Sequence, residues 1–200
     1  MLVAITDRGQ MVPRDILATG AWSAIARAFG AAIAKANADL VQVREKDLDG
    51  GPLLLLVRAA VATGARVVVN DRIDVALAAG AYGVHLPERG MAIADARALA
   101  PGLFIGCSRH TVDGVRIAAD AGADLVQLGP IWRTPGKGEP LGPLALEGAR
   151  AVLGDRRTKL VAVGGIETTE RIRAARRAGA DGVAAIRAVW SGALSGSRDR

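Results

Sequence analysis

What most restricts this 200-residue chain is a regular alternation of two hydrophobic patterns. Short apolar runs rich in β-branched residues fall at 2–6, 40–44, 66–70, 82–86, 103–107, 124–128, 160–166 and 181–186. Helical patterns follow at 21–36, 50–63, 73–79, 92–100 and 112–121, from about Thr168, and after Ile186. Near-continuous apolar runs are how strands read when both faces of a parallel sheet are covered. About eight uninterrupted strand and helix units predict an α/β chain folded as a single closed (β/α)8 TIM barrel rather than an open sheet. Turn signals agree: Ala121-Gly-Ala-Asp124, Ala178-Gly-Ala-Asp181 and the variant Ala79-Gly-Ala-Tyr82 each close a helix on glycine and begin a strand at once. The barrel is expected over 1–194, with 195–200 as a flexible tail. The chain is short for this fold, so its loops must be tight. The exception is 130–143, Gly/Pro-rich and placed after strand six, which reads either as a mobile lid or as an ordinary solvated loop.

Composition narrows the function. Half of the residues are hydrophobic, which suits one core and one domain, and with 25 Gly the elements must pack closely on small side chains. A formal charge of +6 favours anionic ligands, but an aromatic content of 3% leaves no stacking platform for nucleic acid. One Cys rules out an internal disulfide and points to a reducing cytoplasm. Asp7 interrupts the first apolar run too early for a signal peptide, and Arg58 cuts the 53–57 run far short of a membrane span. A homo-oligomer is compatible with everything in the composition.

The ends of the strands carry the polar residues. Gly164 and Gly165 close strand seven just before a helix, and strand eight ends next to them at Ile186. Two glycine-rich strand ends that each deliver a helix N-terminus make a phosphate cradle, the role this part of a barrel often has; the plainer reading is a pair of glycines that ends a strand. Strand two ends Gln42-Val-Arg-Glu-Lys46. A period of two puts Gln42, Arg44 and Lys46 on the face opposite Val41 and Val43, towards the barrel mouth, where two cations and an amide suit a phosphate or carboxylate. Glu45 falls on the other face, as a partner for a cation or a helix end. Asn70 and Asp71 are expected at the same mouth, with Asp71 open to three roles: metal ligand, substrate partner or N-cap. Ser108 faces inward and Cys107 outward, as a core residue. His110 stands past the end of strand five, where it can move a proton at neutral pH. His85, inside strand four, reads equally as a hydrogen-bonded core histidine. Lys137 in the long loop can close on an anion, and the arginines at 171, 173, 176 and 177 read as a solvated helix face. No nucleophile elbow, Walker-type loop or zinc spacing is present, and no metal cluster is expected.

Taken together, Ile5-Thr-Asp-Arg8, Gln42-Val-Arg-Glu-Lys46, Val69-Asn-Asp-Arg72, Gly83-Val-His-Leu86, Leu128-Gly-Pro-Ile131 and Val163-Gly-Gly-Ile166 resemble the thiamine phosphate synthase and TenI superfamily over nearly the whole chain. The resemblance implies that Gln42, Arg44, Lys46 and Asn70 hold a pyrimidine diphosphate in a synthase and that Asp71 helps bind Mg²⁺. It makes Ser108, Thr134 and Lys137 further substrate contacts. It also implies that Gly165, with the backbone around Ile186 and Arg187, cradles the phosphate of a thiazole.

Departures from the synthase pattern separate the branches. Synthases usually continue from Gly-Val-His-Leu into Gly-Gln-x-Asp, whose Asp is the second Mg²⁺ ligand, whereas this chain reads Pro87-Glu-Arg-Gly90. Gly90 cannot coordinate a metal; Glu88 is two positions early, beside Arg89. Gly136 replaces a hydroxyl residue of the synthase loop, and Arg187 replaces a small serine. The Leu-Pro continuation and His110 are similar to TenI, whose activity is tautomerisation of a thiazole carboxylate phosphate. The expectation is therefore a cofactor-free, TenI-like thiazole tautomerase with His110 as acid and base. An Mg²⁺-dependent thiamine phosphate synthase is the alternative, and a non-catalytic barrel that binds a phosphorylated metabolite and regulates a partner is the third.

Overall fold

The computed structural model describes residues 1–194; the predicted tail at 195–200 lies outside the described residues. Eight strands, β1 (Leu2–Ile5), β2 (Leu40–Val43), β3 (Val67–Asn70), β4 (Gly83–Leu86), β5 (Phe104–Arg109), β6 (Leu125–Leu128), β7 (Lys159–Val163) and β8 (Gly182–Ala185), pair in parallel and in chain order. The pairing of β1 with β8, Leu2 opposite Val183, closes the barrel. Outside the ring lie α3 (Trp22–Lys35), α4 (Gly50–Val61), α5 (Ile73–Ala79), α6 (Ile93–Leu99), α7 (Val112–Asp120), α8 (Leu144–Leu153), α9 (Thr169–Arg177) and the single turn α10 (Arg187–Trp190). Two short helices, α1 (Arg8–Met11) and α2 (Arg14–Ala18), fill the connection after β1 and have no counterpart in the predicted pattern, being too short to show a period. Strand β5 also runs two residues further than expected, which takes Ser108 and Arg109 into the sheet. Among the described residues no helix is long and apolar enough to cross a membrane.

The repeated Gly-Ala-Asp motif builds the floor of the barrel. Gly80, Gly122 and Gly179 are left-handed, and the amides of Ala81, Ala123 and Ala180 turn back to the carbonyls of Ala76, Ala118 and Ala175 at 2.9 to 3.0 Å. Each turn satisfies the last carbonyls of a helix and hands the chain to the next strand. The aspartate then bonds sideways: Asp124 Oδ2 accepts from Ile105 N and Asp181 Oδ2 from Leu160 N, both at 2.7 Å, so the second amide of the preceding strand is satisfied. Asn37-Ala38-Asp39 is a further copy, with Asn37 left-handed at φ +47° and Asp39 Oδ2 accepting from Leu2 N at 2.6 Å. In the variant, the Tyr82 ring stacks on Phe104 with centroids 5.1 Å apart.

Inside the ring, Val3, Leu40, Val68, Leu125, Val161 and Ala184 form an apolar lower layer. Two residues further along β2, β3 and β6 lie Gln42, Asn70 and Gln127, with His85 opposite Asn70 on β4, and all but Asn70 are buried. Outward residues, Val41 and Val43 among them, pack under the helices. Glycine sets the spacing between β4 and β5: a Cβ at Gly83 would overlap the Phe104 carbonyl oxygen, and one at Gly106 would come within 2.8 Å of His85 Nδ1. Gly83→Ala is expected to destabilise the protein by about 2 kcal/mol or more in urea unfolding, the scale of forcing volume into a packed core. A change within about 0.5 kcal/mol would show that β4 and β5 are not held this closely.

Candidate functional site

A cavity of about 500 Å³ opens at the carboxyl ends of the strands, and it gathers twelve of the thirteen predicted site residues: Gln42, Arg44, Lys46, Asn70, Ser108, His110, Thr134, Lys137, Gly164, Gly165, Ile186 and Arg187. Asp71 is the exception. The chain leaves strand geometry there, with φ +66°, and Asp71 N donates to His85 O at 2.9 Å, so the side chain does not line the cavity. Nor is it the cap of α5, whose N-cap position is Arg72.

Amides form the cavity floor. Gln127 Nε2 donates to Gln42 Oε1 at 2.9 Å, and Gln42 Nε2 donates to Asn70 Oδ1 at 3.3 Å. This direction leaves the Asn70 amide NH₂ as the donor for a ligand acceptor. Gln127 lies outside the sequence-predicted set, although a lone Gln in an apolar strand, in a Leu-Val-Gln run like that of Gln42, is an available signal. Glu45, on the opposite face as expected, serves both roles foreseen for it. It accepts from Arg8 N at the start of α1 at 3.1 Å and from Arg8 Nη1 at 3.0 Å, with Thr6 Oγ1 donating at 2.6 Å. Burial raises its carboxyl above the ordinary range against those bonds. The strut fixes the segment that carries Arg44 and Lys46.

The two histidines divide as structure and site. His85 is 1% exposed, and its Nε2 lies 2.8 Å from Ser108 Oγ. Burial first, then the charges of Arg109 and Arg44, push it down to about 3, so it is neutral at physiological pH and holds Ser108. Cys107 is buried, and its thiol is pushed up to about 11, mainly by burial, which agrees with a core role. His110 is half-exposed on the cavity wall, and its Nδ1 lies 2.7 Å from Glu88 Oε2. That carboxylate stands on the loop after β4, beside the end of β5.

The cavity wall at the ends of β7 and β8 is built largely from backbone. Gly164 and Gly165 both have positive φ, +96° and +67°, and a Cβ on either would strike the loop after β6, 2.7 Å from Pro130 Cα or from Trp132 Cβ. Only glycine lets that loop approach the strand end this closely. Thr168 caps α9 behind it, accepting from Arg171 N at 3.3 Å. On the neighbouring side the expected helix dipole is reduced to the single turn of α10, beside Arg187, which donates to Glu167 Oε1 at 3.0 Å. Arg171 corrects the reading of a wholly solvated face: its Nη1 donates to Gly165 O at 2.6 Å and its guanidinium lies 5.8 Å over the Trp132 ring. The long loop is seated at both ends. Ile131 N donates to Val163 O at 2.9 Å and Leu141 N to Pro130 O at 2.8 Å, leaving 135–140 with Lys137 as the exposed tip.

An Mg²⁺ site held by two carboxylates does not fit these residues. A Cβ at Gly90 would sit 2.9 Å from Asp71 Oδ1, so position 90 lies directly against that carboxylate and contributes no donor. Glu88 is bonded to His110. Among the described residues no three His, Cys, Asp or Glu side chains gather as a metal site.

Gly165→Ala is expected to weaken binding of a phosphorylated thiazole by about tenfold or more in calorimetry, equivalent to about 1.4 kcal/mol, with the circular dichroism of the barrel retained. Unchanged affinity would move the anion site away from β7.

The family model described as thiamine monophosphate synthase, TMP-TENI, matches residues 15–189. A putative thiamine-phosphate synthase of Geobacter sulfurreducens is 41% identical over 195 residues, which cover 94% of this chain and 85% of that protein. The thiamine-phosphate synthase of Albidiferax ferrireducens is 41% identical over 164 residues, 80% of this chain and 74% of the relative. Among solved structures, a thiamine phosphate pyrophosphorylase from Pyrococcus furiosus superposes with a TM-score of 0.72 at 28% identity, covering 94% of this chain and 86% of that one. With the match running through the strand ends that form the cavity, the chain belongs to the thiamine monophosphate synthase and TenI family of thiamine biosynthesis enzymes.

Proposed function

We propose that this enzyme binds a thiazole carboxylate phosphate and relocates a proton on it without a metal, the TenI type of reaction. The observation that carries the reading is the glycine at position 90, set against Asp71 where a second carboxylate would complete a metal site. Diphosphate departure develops negative charge that must be neutralised, and one carboxylate at this corner gives little hold on the cation usually used. A tautomerisation has no leaving group. One C–H proton leaves the ring, one is returned to a conjugated carbon, and the electrons shift into the aromatic system with no net change.

The cavity has the parts for that chemistry. Backbone at Gly164, Gly165 and Ile186 faces the phosphate, Arg44 and Lys46 suit the carboxylate, and His110 is the acid and base. The amide donor of Asn70, oriented by Gln42, is placed for a ring or carboxylate acceptor.

A second reading is favoured by a different observation. The relatives at about 40% identity are named for the coupling reaction, and those names support a thiamine-phosphate synthase more directly than a tautomerase. The two readings share the thiazole phosphate subsite and differ in what His110 must do.

His110→Asn is expected to lower the tautomerisation rate by about a hundredfold or more, the usual scale for loss of a general acid and base, with little change in KM. Absorbance on aromatisation follows the rate. A wild-type rate in the variant removes His110 from the mechanism.

A further inference from the structure

His110 has one nitrogen engaged and one open. Nδ1 meets Glu88 Oε2 at 2.7 Å, and Nε2 has no hydrogen-bond partner among the described residues. The two residues are 22 apart in sequence and meet because β4 and β5 are neighbours, with Leu86 opposite Cys107 at the strand ends. Both line the cavity. A carboxylate has only acceptors, so in this contact Nδ1 must be the donor. A neutral imidazole that carries its proton on Nδ1 has a lone pair on Nε2, and Nε2 is then the base.

We infer that Glu88 is the positioning residue of this site: it fixes His110 in the Nδ1–H tautomer and so makes Nε2 the atom that exchanges protons with the ligand. The assignment rests on the proton-transfer reading above and goes further by naming the atom and the side chain that selects it. In the proton step, the substrate C–H bond breaks, its electron pair stays on the substrate, and Nε2 gains the proton. Glu88 then faces an imidazolium, and the same proton leaves Nε2 for the conjugated carbon. Glu88 neither gains nor loses a proton. Its role matches the carboxylate that holds the tautomer of a catalytic histidine in other proton-transfer sites.

Other features of the site agree. His85 is buried and committed to Ser108, which leaves His110 as the histidine available to a ligand. The loop 87–90 that carries Glu88 is turned by Gly90 N donating to Pro87 O at 3.0 Å, with Pro87 stiffening its entry. The same short turn that lacks a donor beside Asp71 thus presents a carboxylate to His110.

The test reads the tautomer directly in the free protein. With only two histidines in the chain, ¹⁵N-labelled imidazoles give two ring systems in two-bond ¹H–¹⁵N spectra, and His110→Asn assigns them. At a pH well above the ordinary imidazole range, wild-type His110 is expected to show the Nδ1–H pattern. Glu88→Ala is expected to return it to mainly Nε2–H, and Glu88→Gln, whose amide oxygen still accepts, to keep part of the Nδ1–H form. In turnover, Glu88→Ala should lower kcat about tenfold or more with KM within about twofold, and Glu88→Gln should recover part of the loss. A wild-type Nε2–H pattern, or an unchanged Nδ1–H pattern in Glu88→Ala, overturns the assignment. A wild-type protein that leaves the thiazole unchanged yet shows the expected tautomers overturns the proposed reaction and the proton exchange at Nε2, and upholds only the selection of the tautomer by Glu88.

Discussion

Barrel closure is the constraint on which the rest of this molecule depends. Once β8 pairs with β1, eight strand ends of four to six residues are held in a ring, and side chains far apart in sequence share one mouth. The ring is narrow, so its lower half is filled with apolar side chains, and its upper half takes polar residues that satisfy one another. Gln42, Asn70 and Gln127 form that layer, and their hydrogen-bond direction decides which amide group faces a ligand. Closure also needs the amides at the starts of the strands to be satisfied at the floor, and the aspartate after the helix-ending glycine does this for β1, β5 and β7.

Much of this was legible in the sequence where one local period governed a segment. Apolar runs between helical patterns gave the barrel, and Val41 and Val43 under the helices required Gln42 to face inward. Gly164 and Gly165 announced a close approach that their positive φ values explain. Legibility ended where the chain left strand geometry or where the partner lay on another strand. Asp71 sits on a left-handed turn, so alternation could not place it, and it falls outside the cavity. Arg171 belongs to an outer helix by spacing, yet its position in the first turn of α9 lets it reach the Gly165 carbonyl. The pairing of Glu88 with His110 depends on the register of β4 and β5, which no single-segment pattern contains.

Family membership and chemistry are separate conclusions here. The relatives named as synthases are about 41% identical over most of this chain, and a solved thiamine phosphate pyrophosphorylase shares its fold. Within that frame the turn after β4 is the distinctive feature of this chain's own donor set. It offers glycine beside Asp71 and directs the nearest carboxylate, Glu88, to an imidazole. A fold hosts many reactions, and the distinction between coupling and proton relocation lies in such donor sets.

The most direct measurement is turnover of wild-type protein in chelator on the non-aromatic thiazole carboxylate phosphate, run beside the Mg²⁺-supplemented coupling of hydroxymethylpyrimidine diphosphate with thiazole phosphate. The account predicts aromatisation at full rate in chelator and little or no coupling. Coupling that requires Mg²⁺, with no aromatisation of authentic substrate by folded protein, would contradict it.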